Sequence, residues 1–322
     1  MKGELKMFKL LKGGNKPSLL AAIVNTFIAL LKMGAYLITG NVAMFAEMMH
    51  SFGDAANQFF VFIGSALSKK APTPRFPNGF GRVVNLVCLG AVLIVGVLSY
   101  ETIKEGIHHF LHPVETSGIA IVLGVLAISV VLELFVFYKA GKEILHEVGA
   151  EGKGVSVFTK SFTHLNQAKP ATKLVYMEDF VATSGGILAI IAVLISYVTG
   201  FHKAEGIASV MIGLMMFYVV GRVFLENARG AIGETDEEMR AHISKIILKD
   251  ENVKDIKSLN VVKEGESLHV ETSLEVDHTL TVAEADDIRD RLSLLIYAQK
   301  DVSDVVIYFD EDNMTTDWQP LH

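Results

Sequence analysis

Apolar residues fill six long stretches of the chain before residue 230, and polar residues dominate after it. The stretches lie near residues 18–39, 42–67, 83–111, 118–139, 174–199 and 205–226. Each reaches the roughly 20 residues that a helix needs to cross the hydrocarbon core of a bilayer. Because lipid offers no hydrogen-bond partner to a free backbone amide, runs of this length are predicted to be helices. The pattern therefore predicts an all-α bundle of six transmembrane helices.

The segment from Gly230 onward has the shorter periods of a domain exposed to water. Thr235–Glu238 and Thr281–Glu284 have the capping-box pattern, in which a Thr hydroxyl and a Glu carboxylate satisfy free amides at a helix start. Three runs have the composition of strands, at residues 256–262, 267–276 and 302–309. The order αββαβ predicts a ferredoxin-like α+β domain, in which a sheet carries its helices on one face.

Composition and charge support the same division. Residues of the AVILMFWYC set make up 51% of the chain and charged residues only 20%, which is fewer charges than soluble domains usually have. From Gly230 onward there are 9 Lys and Arg against 22 Asp and Glu, whereas the preceding residues have 20 against 14. We therefore divide the chain into an N-terminal arm (1–17), a transmembrane domain (18–229) and a cytoplasmic dimerisation or regulatory domain (230–322).

Composition also excludes two classes of function. The net charge of −7 is unlike the basic surface of a nucleic-acid-binding protein, so no nucleic-acid partner is expected. The single cysteine, Cys88, cannot build an intrachain disulfide framework or a metal site of several cysteines.

Lys and Arg are concentrated in alternate connections. They occur in the N-terminal arm, between the second and third stretches, and between the fourth and fifth, whereas the other connections hold almost none except Lys203. By the positive-inside rule, both termini are predicted to be cytoplasmic. The first residues lack the features of a cleavable signal peptide and of an Arg- and Ser-rich presequence, which favours a bacterial inner membrane as the location.

Ionisable residues inside the apolar stretches carry the functional signal, because a charge at the bilayer centre costs about 2.5–3.5 kcal/mol. The second stretch contains His50 and Asp54, which are four residues apart and therefore on one helical face. The fifth contains Glu178 and Asp179. If these two helices touch, one imidazole and up to three carboxylates converge. That set suits a divalent cation such as Zn²⁺.

Each of these residues also has a structural interpretation. His50 alone can be an interior histidine bonded to a carbonyl group. Glu178 and Asp179 lie about 100° apart around a helix, so one of them can face a neighbouring helix instead. We prefer Asp179 as a ligand and leave Glu178 open. Asn57 can support the site from outside or form a hydrogen bond between helices.

Further ionisable residues lie in the same stretches. Glu133, in the fourth, can be a fifth ligand, a proton carrier or the partner of Lys32 in the first. Glu47, near the outer end of the second, is expected to be solvated. We leave the roles of Glu133 open at this point.

Four segments around the candidate ligands form a recognisable set. They are His50–Gln58, with the sequence His-Ser-Phe-Gly-Asp-Ala-Ala-Asn-Gln, together with Pro77–Gly81, Glu133 and Met177–Asp179. With six helices and an αββαβ tail, this set resembles the cation diffusion facilitator family over nearly the whole chain. The most similar branch is the one that contains the mitochondrial zinc transporter of animals.

The resemblance implies a homodimeric secondary active transporter, not an enzyme, that moves Zn²⁺ across a lipid bilayer in exchange for protons. Zinc members carry a His-x-x-x-Asp pair on both helices. Here Asp179 matches the second Asp, but Val175 occupies the His position, so Glu178 is a candidate to stand in for it. Because harder oxygen ligands suit Mn²⁺ and Fe²⁺ better, these ions, Co²⁺ and Cd²⁺ are alternative substrates. Protons compete with metal for the same ligands.

Other metal sites of the family are expected to be missing. No histidine occurs around Phe76–Gly79, and Tyr308 stands where a tail ligand histidine is common, so dimerisation is the expected role of the tail. Two other classes of function stay open. A membrane metalloenzyme is disfavoured because there is no His-Glu-x-x-His motif, and a metal sensor would bind the ion without transporting it.

Overall fold

The computed structural model describes residues 13–168, 170–265 and 267–318. The predicted N-terminal arm before residue 13 lies outside the described residues. The rest forms two compact units, one built from Asn15–Phe62 and Val87–Glu226 and the other from Ile63–Leu86 and the residues from Asn227 onward. The second unit thus combines the tail with the connection between the second and third apolar helices.

The first part of the described chain is helical. Its helices are α1 Lys16–Thr39, α2 Val42–Ser68, α3 Val83–Leu111, α4 Ile119–Glu147, α5 Ser156–His164, α6 Pro170–Thr199 and α7 Lys203–Ile232. Within the described residues, α1, α3, α4, α6 and α7 are the five helices long and apolar enough to cross a membrane. With 27 residues, α2 is long enough to do so, but the polar residues of the candidate site lower its hydropathy.

Two features of these helices were not predicted. α4 continues to Glu147, beyond the apolar stretch that ended near residue 139, and the short helix α5 follows it. Both pack around Tyr176 of α6, which is fully buried in a cluster with Phe137 and Ile144. Ser161 of α5 donates a hydrogen bond of 2.9 Å to the Tyr176 hydroxyl oxygen. This cluster stabilises the additional helical turns because it gives their apolar side chains a partner.

Small residues let α3 and α7 approach each other closely. A Cβ atom at Gly206 of α7 would lie 2.7 Å from the carbonyl oxygen of Gly106 in α3 and 2.8 Å from the amide nitrogen of Phe110. The Ser209 hydroxyl donates a hydrogen bond of 3.0 Å to the Thr102 carbonyl oxygen. The two backbones are therefore in direct contact, as small residues allow between membrane helices.

We expect Gly206→Ala to destabilise the protein by about 1–3 kcal/mol, because its methyl group meets backbone atoms that cannot move aside. The matched control is Gly221→Ala on the same helix, where no atom lies within 4 Å of the added carbon. That change is expected to be neutral or slightly stabilising. Thermal unfolding can be followed with a thiol-reactive dye, since Cys88 is buried in α3. Equal midpoints for the two variants would contradict the close approach.

The C-terminal domain has the predicted order of elements. They are α8 Glu237–Ile247, β1 Val253–Glu264, β2 Ser267–Val276, α9 Val282–Tyr297 and β3 Val302–Glu311. The sheet order is β1-β2-β3, with β1 and β2 antiparallel and β2 and β3 parallel. Both helices and all three strands contribute to one apolar core, which includes Ile243, Ile256, Leu274, Leu292 and Ile307.

The sequence predicted one of the two helix caps in this domain correctly. α9 begins with the expected capping box, in which Thr281 and Glu284 each accept a hydrogen bond from the other's backbone amide. α8 has Asp236 as its N-cap, and the Asp236 carboxylate accepts a hydrogen bond of 3.0 Å from the Met239 amide. Thr235 forms a strand bridge with Val262 instead, so its predicted role as the cap was wrong by one residue.

A bidentate ion pair ties α9 to the segment after α8. The Arg291 guanidinium donates hydrogen bonds of 2.8 and 2.9 Å to the two carboxylate oxygens of Asp250. These bonds hold the pKa of Asp250 below its ordinary value. The carboxylate side chain is 8% exposed and the guanidinium 46% exposed, so solvent screens part of the interaction.

We expect Arg291→Met to destabilise the C-terminal domain by about 1 kcal/mol at pH 7. A carboxyl whose pKa is lowered by folding contributes stability above its unfolded pKa, near 4, and loses it as the pH falls through the folded value. The difference between the wild type and the variant should therefore shrink below pH 4. Fluorescence of Trp318, the single tryptophan, reports unfolding because it packs against this core.

The control for that prediction is Arg289→Met. Arg289 lies on the same helix and pairs with Asp286, but both side chains are 48% exposed. Exposed pairs of this kind contribute little, so the variant should unfold with nearly the wild-type midpoint. A loss of stability in Arg291→Met that persists unchanged at pH 3 would contradict the assignment.

Candidate metal centre

One face of α2 presents the first pair of predicted ligands. His50 and Asp54 are one helical turn apart, and their Nε2 and Oδ2 atoms are 3.4 Å from each other. The His50 side chain is 9% exposed and that of Asp54 is 44% exposed. Gly53 lies beside them, and a Cβ atom there would lie 3.2 Å from the Val95 side chain. The glycine thus lets α3 pack closely next to the pair.

The second pair is placed by α6, whose first turns are fixed by the aromatic cluster around Tyr176. Asp54 and Glu178 line a common cavity of about 30 Å³. The remaining lining is Gly53, Asn57, Val92, Val95, Val219, Val220 and Val223. The cavity therefore combines two carboxylates and one amide with valine walls contributed by α3 and α7.

Asp179 lies within electrostatic range of both Asp54 and His50. Its Oδ2 atom is buried without a hydrogen-bond partner among the described residues. A buried carboxylate oxygen without a partner is costly, and a cation that binds there removes the cost. Glu178 thus shares a cavity with Asp54 of α2. The Asp179 carboxylate interacts electrostatically with both Asp54 and His50.

The four predicted ligands do not form a closed set in this conformation. Among the described residues, no three His, Cys, Asp or Glu side chains are close enough together to hold a metal ion as they stand. Val175, at the position where a second histidine was considered, is 51% exposed and does not line the cavity. The four-ligand set therefore stays a prediction.

A buried ion cluster joins α1, α2 and α4, and its α2 member, Glu47, lies about one turn before His50. Lys32 of α1 donates hydrogen bonds of 2.8 Å to Glu47 of α2 and 3.3 Å to Glu133 of α4. The Lys32 and Glu47 side chains are fully buried, and that of Glu133 is 17% exposed. The predicted solvation of Glu47 was therefore wrong. Of the three alternatives given for Glu133, the structure contains the ion pair with Lys32.

The ion cluster is packed against two glycines of α6. A Cβ atom at Gly185 would lie 2.9 Å from Oε1 of Glu47, and one at Gly186 would lie 3.1 Å from Oε2 of Glu133. Neither of these two carboxylate oxygens has a hydrogen-bond partner among the described residues. The glycines thus bring the α6 backbone against the unpaired sides of both carboxylates.

A second buried polar network was missed by sequence reasoning. The Asn41 amide and the Thr116 hydroxyl both donate hydrogen bonds of 2.7 Å to Oε2 of Glu205, which is 1% exposed. This network joins the first residue before α2, the segment between α3 and α4, and the first turn of α7. The sequence signal that could have revealed this network was Glu205, an acidic residue inside the last apolar stretch.

Curated relatives of the chain are metal transporters. The mitochondrial proton-coupled zinc antiporter SLC30A9 of Mus musculus is 24% identical over 261 residues, which are 79% of this chain and 44% of that protein. The Homo sapiens antiporter is 24% identical over 259 residues with the same coverage. The cation-efflux pump FieF of Pectobacterium atrosepticum is 24% identical over 297 residues, 90% of this chain and 92% of the pump. The chain thus spans less than half the length of these zinc antiporters.

Two family models match the chain. The model of the cation efflux transmembrane domain matches residues 18–230, and that of the cytoplasmic domain of cation efflux proteins matches residues 235–312. The first match alone covers more than half of the chain, and the resemblance inferred from the ligand segments is confirmed. With its apolar helices and these two matches, the chain is a multi-pass membrane protein that belongs to the cation efflux family.

Proposed function

We propose that the protein exports Zn²⁺ in exchange for protons, by alternating access around a midplane site on α2 and α6. Membership of the cation efflux family supports efflux of a divalent cation. The observation that carries the site is the convergence of Asp54 and Glu178 on one cavity, next to the unpaired buried oxygen of Asp179. His50 completes the set, and Glu133 and Asn57 are accessory residues.

The proposed cycle uses the protonation states of these side chains. Neutral His50 and ionised Asp54, Glu178 and Asp179 take the metal ion from the cytoplasmic side. Metal binding displaces protons, because a ligand must be deprotonated to coordinate an ion. On the opposite side, protons compete for the same atoms and the metal leaves. The relatives named as proton-coupled zinc antiporters support this coupling.

The same proposal specifies topology and assembly. α2 is the sixth membrane span, because its polar residues line the site rather than face lipid. Both termini are cytoplasmic, the membrane is a bacterial inner membrane, and the domains divide at residues 17/18 and 229/230. The match to a cytoplasmic domain described as a dimerisation module supports a homodimer held by the tail.

The ligand set also favours a second candidate substrate within the same function. Three of the four proposed ligands are carboxylates, and Val175 lies outside the cavity. Oxygen-rich sites suit Mn²⁺ and Fe²⁺ better than sites with two imidazoles do. An exporter of Mn²⁺ or Fe²⁺ is therefore the alternative to a zinc exporter, and Co²⁺ and Cd²⁺ are further substrates to be tested.

Metal flux into proteoliposomes tests the proposal. Zn²⁺, Mn²⁺, Fe²⁺, Co²⁺ and Cd²⁺ are presented in turn to vesicles that contain the full-length protein and a trapped metal indicator. We expect Zn²⁺ to enter faster than into protein-free vesicles. If only Mn²⁺ or Fe²⁺ enters, the carboxylates determine which metal is transported and the assignment of Zn²⁺ as the substrate is wrong. If no ion enters while the protein is folded and dimeric, the transporter assignment fails.

A further inference from the structure

We propose that Glu47 and Glu133 form a second cation-binding station, distinct from the proposed transport site, and that the Lys32 ammonium fills it as a tethered cation in this conformation. The station accepts a divalent metal ion when Lys32 moves away. Its use in transport rests on the proposed function, whereas its capacity to bind metal does not.

The proposed transport site is carried by α2 and α6, and the station lies farther along the same faces of these two helices. On α2, Glu47 precedes His50 by three residues and Asp54 by seven, which places all three on one helical face. On α6, Gly186 follows Asp179 by seven residues, and its backbone lies against Glu133. Seven residues of a helix rise about 10 Å. The two sites are therefore about two helical turns apart along α2 and α6.

Unpaired buried polar atoms mark the line between the two sites. In the described part of Asn15–Phe62 and Val87–Glu226, the buried side-chain atoms without a hydrogen-bond partner belong to Glu47, His50, Glu133, Asp179 and Thr183. Thr183 lies on α6 one turn after Asp179, between the two sites. Native proteins leave few such atoms unsatisfied. Their confinement to one track indicates a path along which an ion replaces missing partners.

The charge of the cluster favours a further cation. One ammonium and two carboxylates carry a net charge of −1 when all three are ionised. The oxygens that face α6, Oε1 of Glu47 and Oε2 of Glu133, remain unpaired. Lys32 is fully buried, and its long, flexible stem is the part that has to rotate for the ammonium to leave the carboxylates. Two carboxylates completed by water or the Thr183 hydroxyl are ligands that suit Mn²⁺.

Equilibrium dialysis of the purified full-length protein against Mn²⁺ tests the station. All variants carry Asp54→Ala, which removes the proposed transport site. We expect Lys32→Met in this background to bind one more Mn²⁺ per protomer than Asp54→Ala alone. The matched control adds Glu47→Gln and Glu133→Gln to Lys32→Met, and there the additional ion is lost. An unchanged stoichiometry in Lys32→Met, with the protein folded, overturns the proposal.

A second variant covers the case in which Lys32→Met does not fold. Glu133→Gln in the otherwise unchanged protein keeps the shape of the side chain and one acceptor oxygen. We expect its metal flux to fall at least tenfold while the α2–α6 site, whose four proposed ligands are intact, still binds Mn²⁺. If this variant transports metal at the wild-type rate, transported ions do not bind the station, and its role in transport is overturned. Absence of flux in the wild type instead contradicts the proposed function and leaves the dialysis result to decide the station.

Discussion

Asp54→Ala and Asp179→Ala are each expected to reduce metal flux by at least 100-fold. The two carboxylates belong to different helices and converge on one proposed ion, so neither can replace the other. Even loss of a residue that only supports a ligand weakens metal binding by about 10–100-fold, and removal of a ligand itself has a larger effect. The measurement is the initial rate of Zn²⁺ entry into proteoliposomes at matched protein density.

The control for this pair is Glu101→Gln. Glu101 is a carboxylate of α3 that pairs with Lys104 at 3.0 Å, and its side chain is 42% exposed. Glu101 is not one of the residues that line the cavity, so flux should stay within about twofold of the wild type. Flux that survives in Asp54→Ala, with the protein dimeric and thermally stable, would show that the metal follows another route.

Lys32→Met is expected to lower the thermal midpoint of the membrane domain by about 10 °C. Removal of the ammonium leaves Glu47 and Glu133 buried without their cation, and breaking a buried ion pair from one side costs about 3–5 kcal/mol. A loss of 1 kcal/mol lowers the midpoint by about 2–4 °C in domains of 150–250 residues. Exposure of Cys88, which is buried in α3, to a thiol-reactive dye reports the transition.

Two further measurements separate this effect from a simple packing defect. The triple variant Lys32→Met/Glu47→Gln/Glu133→Gln should recover much of the midpoint, because no unpaired charge remains. In the Asp54→Ala background, addition of Mn²⁺ should stabilise Lys32→Met but not the triple variant, since a ligand that binds the native state raises its stability. Equal midpoints for single and triple variants would mean that shape, not charge, accounts for the loss.

The sequence predicted the helices of the membrane domain well because lipid imposes one strong rule. A run of about 20 apolar residues has no alternative to a helix, and α1, α3, α6 and α7 lie where the apolar stretches predicted them. The rule does not apply to helices outside the hydrocarbon core. α5 has nine residues and a polar face, and it is stabilised by contact with Tyr176, which only the folded structure reveals.

The candidate site was predictable where it depends on one helix and not where it depends on helix rotation. The spacing of His50 and Asp54 placed them on one face, and their side chains do lie 3.4 Å apart. The orientation of α6 is set by tertiary packing, so the sequence left Glu178 open, although it shares the cavity with Asp54. Lys32 and Glu133 are 101 residues apart in the chain, and no local pattern could decide that they pair.

The most direct test of the account is Zn²⁺ uptake into proteoliposomes under an imposed pH gradient, with the wild type and Asp54→Ala compared in the same preparation. We predict that wild-type vesicles with an acidic interior accumulate Zn²⁺ faster than vesicles without a gradient, and that Asp54→Ala vesicles show neither uptake nor response. Because protons compete with metal for the ligands, the gradient drives the exchange. Wild-type uptake that is independent of the gradient, or equal in Asp54→Ala, would contradict proton-coupled export through the α2–α6 site.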